Sequence, residues 1–357
     1  MKDKLPLVTV LIPCFNAADN VVQAVHSILD QTYDYLEILL IYDKSKDSTL
    51  NHLISFAAKD TRVRIIYHDG TDGLSGALNR GINEARGELI ARMDADDISV
   101  PDRISKQVQY LFSRPTHSIV SCRIENIRND GRFHSRNVNA SCTTALANRF
   151  YAMFENPVIH PGVMMYRAAF RDALYGLPSP CRTGEDYWLW LEFLRKGYLI
   201  FNIPEVLLSY RRSNGSASKL QNALLNEEHL LYARSFLNFE LGLKIDQKEW
   251  EVIETRNRIG ASVEMIRGSF SRLEDLRDTF LQKHASDTEY GATREILDWV
   301  IQRKQKILLH NFLKAAWNER VRYFLFFPFL ISTLGKRLTW INSFARIQWI
   351  VSEKIVR

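Results

Sequence analysis

An acidic cluster stands at the end of one apolar run, in the stretch LIARMDADD at residues 89–97. A strand ending here would place Asp94 and Asp96 at the carboxyl edge of a sheet, where open α/β sheets bind ligands. Because the two residues are two apart, their side chains would lie on the same face of the strand. Their carboxylate oxygens suit Mg²⁺ or Mn²⁺, and such a cation neutralises a diphosphate leaving group. We therefore predict a metal and diphosphate site. The alternative is an acidic turn that caps the helix indicated by Pro101 and Asp102.

The elements that would position this cluster alternate between strand and helix. Each predicted strand is a short run of β-branched and aliphatic residues, and each predicted helix repeats apolar residues at helical spacing. The strands are predicted at 8–12, 37–42, 63–67 and 89–94, with helices around 21–29, 50–57 and 74–85. This alternation implies a parallel sheet covered by helices on both faces. Its ligand edge would collect residues 13–16, 43–47, 68–73 and 94–97.

Six segments of the chain carry a resemblance to a known family. They are VTVLIPCFN at 8–16, SILDQT at 27–32, EILLIYDKSKDST at 37–49, GLSGALNRGINEA at 73–85, GELIARMDADD at 87–97, and Glu185-Asp186. Over roughly residues 7–218, in this order and spacing, they resemble family 2 inverting glycosyltransferases of the GT-A fold. The resemblance implies an α/β fold, Rossmann-like with a mostly parallel sheet and helices on both faces, followed by a helical C-terminal region. It also implies sugar transfer from a nucleotide diphosphate donor, usually with a divalent metal.

The resemblance implies a role for each matching residue. Phe15 takes the aromatic position near the nucleotide base, and Asp43 is the acid that hydrogen-bonds the base. Asp94 would hold the ribose or the hydrated metal, Asp96 would bind Mn²⁺ or Mg²⁺ directly, and Asp186 would be the catalytic base. The nucleotide-sugar-binding residues implied in this way are Pro13, Phe15, Asn16, Asp43, Gly73, Asn79, Asp94, Ala95 and Arg211.

Two departures from the family pattern concern donor binding. The usual Asp-Asp-Gly-Ser stretch is Tyr-Asp-Lys-Ser at residues 42–45, so the first acid and the flexible glycine are missing. In the stretch Tyr-Arg-Arg-Ser-Asn at residues 210–214, Ser213 stands where many relatives place a histidine. Arg211 or Arg212 can instead bind phosphate as a bidentate donor, or lie on a solvated strand end.

Displacement of a diphosphate by an acceptor hydroxyl requires one carboxylate base and one cation. Asp186 would supply the base, and Asp96 would hold the cation. Glu185 and Asp186 open an apolar helix, so capping and the helix dipole offer an alternative explanation for both. Glu185, His160 and Trp188 are predicted on the acceptor side. A buried, hydrogen-bonded role is equally open for His160, and core packing for Trp188.

Length and composition set the broad class. The 357 residues, 46% hydrophobic, can form one large α/β domain with an appendage. We predict a GT-A domain at 1–218, a helical extension at 219–300 and a basic, aromatic-rich tail at 301–357. Four cysteines without close pairing or metal-ligand spacing indicate a reducing compartment. The first residues show no signal peptide, so a cytoplasmic location is expected.

The basic character of the chain is concentrated in the tail. Residues 301–357 contain eleven Lys or Arg and two Glu, a net charge of +9, which leaves −3 for the first 300 residues out of the total of +6. The aromatic run at 323–334 is too short to span a bilayer, but its basic flanks suit an anionic membrane surface. The tail is therefore predicted to hold the protein at the inner face of the cell membrane. The alternative is packing on protein, and nucleic acid is not an expected partner.

The predicted function is transfer of a sugar from a nucleotide-diphosphate sugar, with UDP the favoured nucleotide, to a hydroxyl of a glycan or lipid-linked acceptor. Family analogy suggests bacterial surface polysaccharide or lipopolysaccharide biosynthesis. A non-catalytic nucleotide-sugar-binding protein is one alternative. A sugar nucleotidyltransferase is another, but residues 13–20 lack the Gly-rich, Lys- and Arg-containing loop that it requires. The chain also lacks the glycine motifs typical of dehydrogenases and P-loop kinases.

Overall fold

The computed structural model describes residues 5–70, 72–136, 142–212, 222–246, 250, 253, 263–287 and 290–317. The first part contains β1 (Val8–Cys14), α1 (Val21–Leu29), β2 (Leu36–Asp43), α2 (Thr49–Lys59), β3 (Val63–His68), α3 (Gly73–Glu84) and β4 (Leu89–Arg92). The second part contains β5 (Ile98–Ser99), α4 (Arg103–Phe112), β6 (Ser118–Ile127), β7 (Phe133–Arg136), α5 (Ala145–Tyr151), β8 (Met164–Tyr166), α6 (Glu185–Arg195) and β9 (Leu199–Arg211). Three further helices follow, α7 (Asn222–Leu241), α8 (Val263–Lys283) and α9 (Tyr290–Trp317).

The first four long strands form the parallel part of the sheet, as the alternation predicts. β1 pairs in parallel with β2 on one side and with β4 on the other, and β3 continues the sheet beyond β2. The buried residues of α1 are Val21, Ala24, Val25 and Ile28, which recur at helical spacing and form one apolar face. Because parallel strands share a direction, their carboxyl ends collect at one edge of the sheet.

The second half of the sheet is mixed. The strand order is β3-β2-β1-β4-β8-β6-β9-β5, with β7 paired to β6. β8 runs antiparallel to both β4 and β6, whereas β6 and β9 are parallel. The α/β fold with a sheet and helices, followed by a helical C-terminal region, is confirmed.

The strand that precedes the acidic cluster ends earlier than predicted. β4 stops at Arg92, and the N–H of Asp97 donates to the carbonyl of Asp94 at 3.3 Å, which closes a turn. The prediction that Asp94 and Asp96 project from one face of a strand is therefore wrong. We call residues 94–97 the acid turn, because the turn itself is what gathers the carboxylates.

The chain divides into two compact units, one of Met1–Trp250 and Glu274–Gln302, the other of Glu251–Leu273 and Arg303–Arg357. Within the first unit, the buried carboxylate of Glu240 on α7 binds Arg149 of α5 at 2.6 Å and His284 at 2.8 Å. Burial alone would raise the pKa of Glu240, but the hydrogen bonds from His284 and Arg149 outweigh it and lower the pKa to about 2. The buried carboxylate therefore ties α5 to the later helices as a charged group.

None of the helices in the described part of the chain combines the length and apolar character that crossing a bilayer requires. The aromatic run at 323–334 lies outside the described residues, as does the Ser213 position. The predicted division of the chain at residues 218 and 300 stays a prediction.

Candidate functional site

The first wall of the site lies at the carboxyl ends of β1 and β2. Asn16, at φ +46°, donates its N–H to Oγ of Ser45 at 3.0 Å, and its Oδ1 accepts the N–H of Lys46 at 2.8 Å. These bonds lock the two strand-end loops together. Phe15 beside them is 62% exposed, so its ring is available for stacking on a planar ligand. Pro13, the penultimate residue of β1, is half-buried.

Asp43 lies at the end of β2, next to the end of β3. Its Oδ1 lies 3.6 Å from Nδ1 of His68, and a Cβ on Gly70 would lie 2.9 Å from that oxygen. The N–H of Gly70 donates to Nδ1 of His68 at 3.1 Å, which requires that nitrogen to be unprotonated. His68 therefore shapes the surroundings of Asp43 without acting as a hydrogen-bond donor through Nδ1.

Three other predicted donor-binding residues lie in different settings. Gly73 opens α3 at φ +57°, and open space surrounds the position that a Cβ would occupy. Asn79 is engaged with backbone, because its Nδ2 donates to the carbonyl of Tyr175 at 2.8 Å and its Oδ1 accepts the N–H of Tyr175 at 3.0 Å. Ala95 is buried within the acid turn. Asn79 thus supports the loop around Tyr175.

The acid turn brings three carboxylates together. One oxygen from each of Asp94, Asp96 and Asp97 lies within 4.8 Å of the other two. Burial, with the negative charge of Asp94, raises the pKa of Asp96 to about 6. Burial and the charges of Asp94 and Asp96 raise the pKa of Asp97 well above its usual value. The turn therefore concentrates acidic groups whose ionisation is opposed by burial and by their mutual repulsion.

Two buried arginines bind the acid turn. Arg92, which is buried, contacts Oδ1 of Asp94 through Nη2 at 2.5 Å. Arg211, also buried, donates its Nε to the carbonyl of Asp96 at 2.8 Å, and its N–H donates to Oδ1 of Asp97 at 2.8 Å. The Nη1 of Arg211 binds the carbonyls of Arg128 and Asn129. The structure thus places Arg211 in contact with the backbone around the turn.

The acid turn fits a divalent cation. Oδ2 of Asp97 is buried and has no hydrogen-bond partner among the described residues, so an acceptor lone pair is left over beside two other carboxylates. Carboxylate oxygens in this number are the ligands that Mg²⁺ and Mn²⁺ prefer. A bound cation would also remove the mutual repulsion that raises the pKa values of Asp96 and Asp97.

The second group of carboxylates stands at the start of α6. Gly184, at φ +74°, precedes the helix, whose first two residues are Glu185 and Asp186. Oδ2 of Asp186 accepts a hydrogen bond from Nδ2 of Asn156 at 2.7 Å. Burial, together with the negative charge of Glu185, raises the pKa of Asp186 to about 6. A carboxylate with such a pKa is well suited to take a proton near neutral pH.

The predicted acceptor-side residues other than Glu185 have protein partners. Nε2 of His160 lies 2.7 Å from the hydroxyl of Tyr175, and the ring is 8% exposed. Burial and the charge of Arg92 lower the pKa of His160 well below its usual value, so the imidazole is neutral. Trp188 packs on Tyr232 with ring centroids 5.2 Å apart and lies 5.0 Å from the guanidinium carbon of Arg195.

Arg92 links the two groups of carboxylates, and its importance was not recognised from the sequence. Its positive charge lowers the pKa of Asp96 and Asp97 in the acid turn and also that of Asp186 on α6. Asn156, which binds Asp186, was likewise not among the predicted site residues. The sequence signal for Arg92 is a charged residue inside an apolar run next to an acidic stretch, because such a charge needs a partner.

Comparisons with known proteins identify the family and the fold. The family model described as Glycosyl transferase family 2 matches residues 9–175. An uncharacterized glycosyltransferase of Haemophilus influenzae is 32% identical over 279 residues, covering 76% of this chain and 81% of the relative. TuaG of Bacillus subtilis, proposed to act as a glycosyltransferase in teichuronic acid biosynthesis, is 28% identical over 228 residues, covering 60% and 82%.

Solved structures support the fold. The structure of S. aureus TarS 1-349 with UDP-GlcNAc has a TM-score of 0.53 at 13% identity, covering 83% of this chain and 91% of that chain. The mannosyltransferase PcManGT of Pyrobaculum calidifontis, with GDP-Man and Mn²⁺, has a TM-score of 0.51 at 17% identity, covering 88% of both chains. The family match, the extent of the Haemophilus relative and the shared fold lead to one conclusion: this chain is a glycosyltransferase that belongs to family 2.

Proposed function

We propose that the protein is a metal-dependent, inverting glycosyltransferase that moves a sugar from a nucleotide-diphosphate sugar to an acceptor hydroxyl. The observation that carries the proposal is the presence of two separate groups of carboxylates, the acid turn and the start of α6. The positive charge of the buried Arg92 interacts electrostatically with both groups. The reaction needs a cation at the leaving diphosphate and a base at the attacking hydroxyl. Each group meets one of these needs.

The acid turn would hold Mn²⁺ or Mg²⁺ through Asp96, with Asp94 and Asp97 completing the oxygen donors. Bound there, the cation supplies charge neutralisation for the departing diphosphate. Arg92 and Arg211 keep the turn in place, through Asp94 and through the backbone of Asp96. Phe15, Asn16 and Asp43, on the neighbouring strand ends, would form the nucleotide side.

Asp186 would remove the proton from the acceptor hydroxyl as that oxygen attacks the anomeric carbon. The new bond to the acceptor oxygen forms as the bond to the diphosphate oxygen breaks, so the anomeric configuration inverts in one displacement. The proton passes to Asp186, and the electron pair of the broken bond leaves with the diphosphate. Asn156 orients the carboxylate of Asp186 through its hydrogen bond to Oδ2.

The donor is proposed to be a UDP-sugar, and the acceptor a glycan or lipid-linked molecule of bacterial surface polysaccharide or lipopolysaccharide assembly. The UDP-GlcNAc complex of TarS supports UDP, while the GDP-Man complex of PcManGT makes GDP the competing nucleotide. The similarity to TuaG supports a role in cell-surface polysaccharide synthesis. Hydrolysis of a panel of UDP- and GDP-sugars in Mn²⁺, followed by NMR of the anomeric product, tests donor and stereochemistry together. Tight donor binding without turnover of any sugar would favour the non-catalytic nucleotide-sugar-binding alternative.

A position at the inner face of the cell membrane is proposed from the sequence of the basic tail alone. Removing residues 320–357 should abolish most binding to anionic vesicles and leave nucleotide-sugar hydrolysis intact, because no proposed site residue lies there. High salt should release only part of the full-length protein, since apolar insertion resists salt whereas charge attraction does not. If the full-length chain does not bind vesicles and the truncated chain aggregates, the tail packs on protein instead.

A further inference from the structure

A carboxylate from α7 holds the loop that leads into α6. Glu228 is 5% exposed, and its Oε1 accepts the N–H of Arg182 at 2.9 Å. Its Oε2 accepts the N–H of Thr183 at 2.7 Å and the hydroxyl of Thr183 at 2.5 Å. Tyr232, one helical turn further along α7, donates its hydroxyl to the carbonyl of Thr183 at 2.8 Å. Four polar groups of two consecutive loop residues are thus bound by one face of α7.

The same loop packs tightly on α7 at its next residue. Gly184 adopts φ +74°, and a Cβ there would lie 2.9 Å from the ring of His229 and 3.2 Å from that of Tyr232. A side chain at this position would be both strained and obstructed. Asp186 follows two residues later, in the first turn of α6. The position of the Asp186 carboxylate is therefore linked to α7 through the short segment 182–184, whose residues are hydrogen-bonded to or packed against this helix.

We propose that Glu228 is a positioning residue for sugar transfer, which fixes residues 182–184 and thereby sets the position of the Asp186 carboxylate. The inference rests on the proposed function, because it requires Asp186 to be the base. The bond from Asn156 orients the Asp186 carboxylate only when the start of α6 is in place. Proton removal depends on that geometry, because a base acts only within hydrogen-bonding distance of the proton it takes.

The substitution Glu228→Gln keeps the size of the side chain but replaces one acceptor oxygen with an NH₂ donor. One of the two N–H groups, of Arg182 or of Thr183, then loses its acceptor. With the sugar nucleotide that the donor panel identifies, UDP-GlcNAc or GDP-Man, kcat should fall about tenfold. KM for that donor, and the affinity for the matching nucleotide, UDP or GDP, in Mn²⁺ measured by calorimetry, should stay within about twofold.

Glu227 offers a matched control, since it is the adjacent exposed residue of α7 and its change to Gln alters the net charge equally. Glu227→Gln should keep wild-type kinetics. The pH profile gives a second measurement. Asp186 interacts with Glu185 on its own helix, with Asn156 and with the positive charge of Arg92, and its own charge acts on the neutral, buried Tyr175. If Glu228→Gln loosens the loop and admits water to Asp186, the acid limb of kcat should move to lower pH, because burial is what raises the pKa of this carboxyl.

A double-variant cycle separates the inference from the proposed function. If Glu228 acts through Asp186, then Asp186→Asn combined with Glu228→Gln should be no slower than Asp186→Asn alone. Two effects that multiply fully, or a Glu228→Gln enzyme with normal kcat and pH profile beside an impaired Asp186→Asn enzyme, would overturn the positioning role alone. Normal turnover in Asp186→Asn would instead overturn the base assignment.

Thermal unfolding shows whether Glu228→Gln still folds. Should it not fold, Tyr232→Phe removes only the hydroxyl that binds the carbonyl of Thr183 and keeps the ring. This variant should show a smaller fall in kcat, about threefold, with the same unchanged donor affinity and the same direction of pH shift. An unchanged kcat and pH profile in a folded Tyr232→Phe enzyme would contradict the proposal.

Discussion

The acid turn and the start of α6 both present carboxylates whose pKa is raised by burial, yet their surroundings differ. In the acid turn, three carboxylates lie close together, and within the part of the chain that the structure describes Oδ2 of Asp97 has no hydrogen-bond partner. At the start of α6, Asp186 has Glu185 as an acidic neighbour and a hydrogen bond from Asn156. The proposed function assigns a cation to the first arrangement and the proton of the acceptor hydroxyl to the second. The two sites differ in the number of carboxylates, three in the acid turn and two at the start of α6.

The comparison predicts that the acid turn is the more sensitive of the two. Asp96→Ala removes the central oxygen donor, so transfer should fall at least about 10³-fold, the equivalent of about 4 kcal/mol of transition-state stabilisation. Mn²⁺ binding, measured by calorimetry without donor, should weaken while the far-UV circular dichroism spectrum is retained. Full activity of this variant, or of the wild type in EDTA, would show that the turn holds no catalytic metal.

At the start of α6, Asp186→Asn keeps the size of the side chain and removes the proton acceptor. We expect kcat to fall about 10²-fold or more, with affinity for the sugar nucleotide in Mn²⁺ nearly unchanged. Pre-steady-state turnover and donor titration on the same preparation measure both quantities. Glu185→Gln is the control; if it is the slower of the two variants, the base is Glu185.

Arg211 tests whether the acid turn is supported by structure or by ligand contacts. Arg211→Lys cannot reproduce the bonds to the carbonyls of Asp96, Arg128 and Asn129, so the free energy of unfolding should fall by about 2 kcal/mol. Urea unfolding measures this loss. The adjacent Arg212→Lys, at an exposed residue whose Nε donates one hydrogen bond to Asn126, should lose less stability than Arg211→Lys. Unchanged stability with weaker nucleotide binding would make Arg211 a phosphate ligand.

The pH dependence of kcat/KM gives the smallest expected difference between the two groups of carboxylates. A base must be deprotonated, so a raised pKa of about 6 for Asp186 predicts that kcat/KM falls about tenfold per pH unit below about pH 6. Asp96 has a similar pKa without a metal, but a bound cation would keep it ionised. A tenfold increase in Mn²⁺ should therefore leave the acid limb unmoved. A limb that moves to lower pH with added Mn²⁺ would assign it to the acid turn.

The sequence predicted the parallel strands well because their apolar runs are continuous. β1, β2 and β3 differ from the predicted bounds by one or two residues, and the acidic stretch pointed to the right edge of the sheet. The sequence could not show that β4 ends at Arg92. A local apolar pattern does not distinguish the end of a strand from a following turn whose first residue still hydrogen-bonds to the neighbouring strand. Met93 still donates to the carbonyl of Leu11.

Long-range contacts account for the rest of what the sequence did not reveal. Asn79 was expected to face the donor, but its amide is bound to the backbone of Tyr175, 96 residues further along the chain. No site residue was predicted in the helical extension at 219–300, whereas Glu228 holds the loop before Asp186. Such pairings leave no periodicity or motif, since they depend on which elements the fold brings together.

The ion pair of Glu240 with Arg149 has a consequence for how this enzyme can be recombined with its relatives. A chimera that joins the sheet domain of this chain to the later helices of another would leave Arg149 without its buried counter-charge, a loss of about 3–5 kcal/mol. A cut after β9 therefore separates the two partners of this ion pair, and a stable exchange should transfer α5 and α7 together.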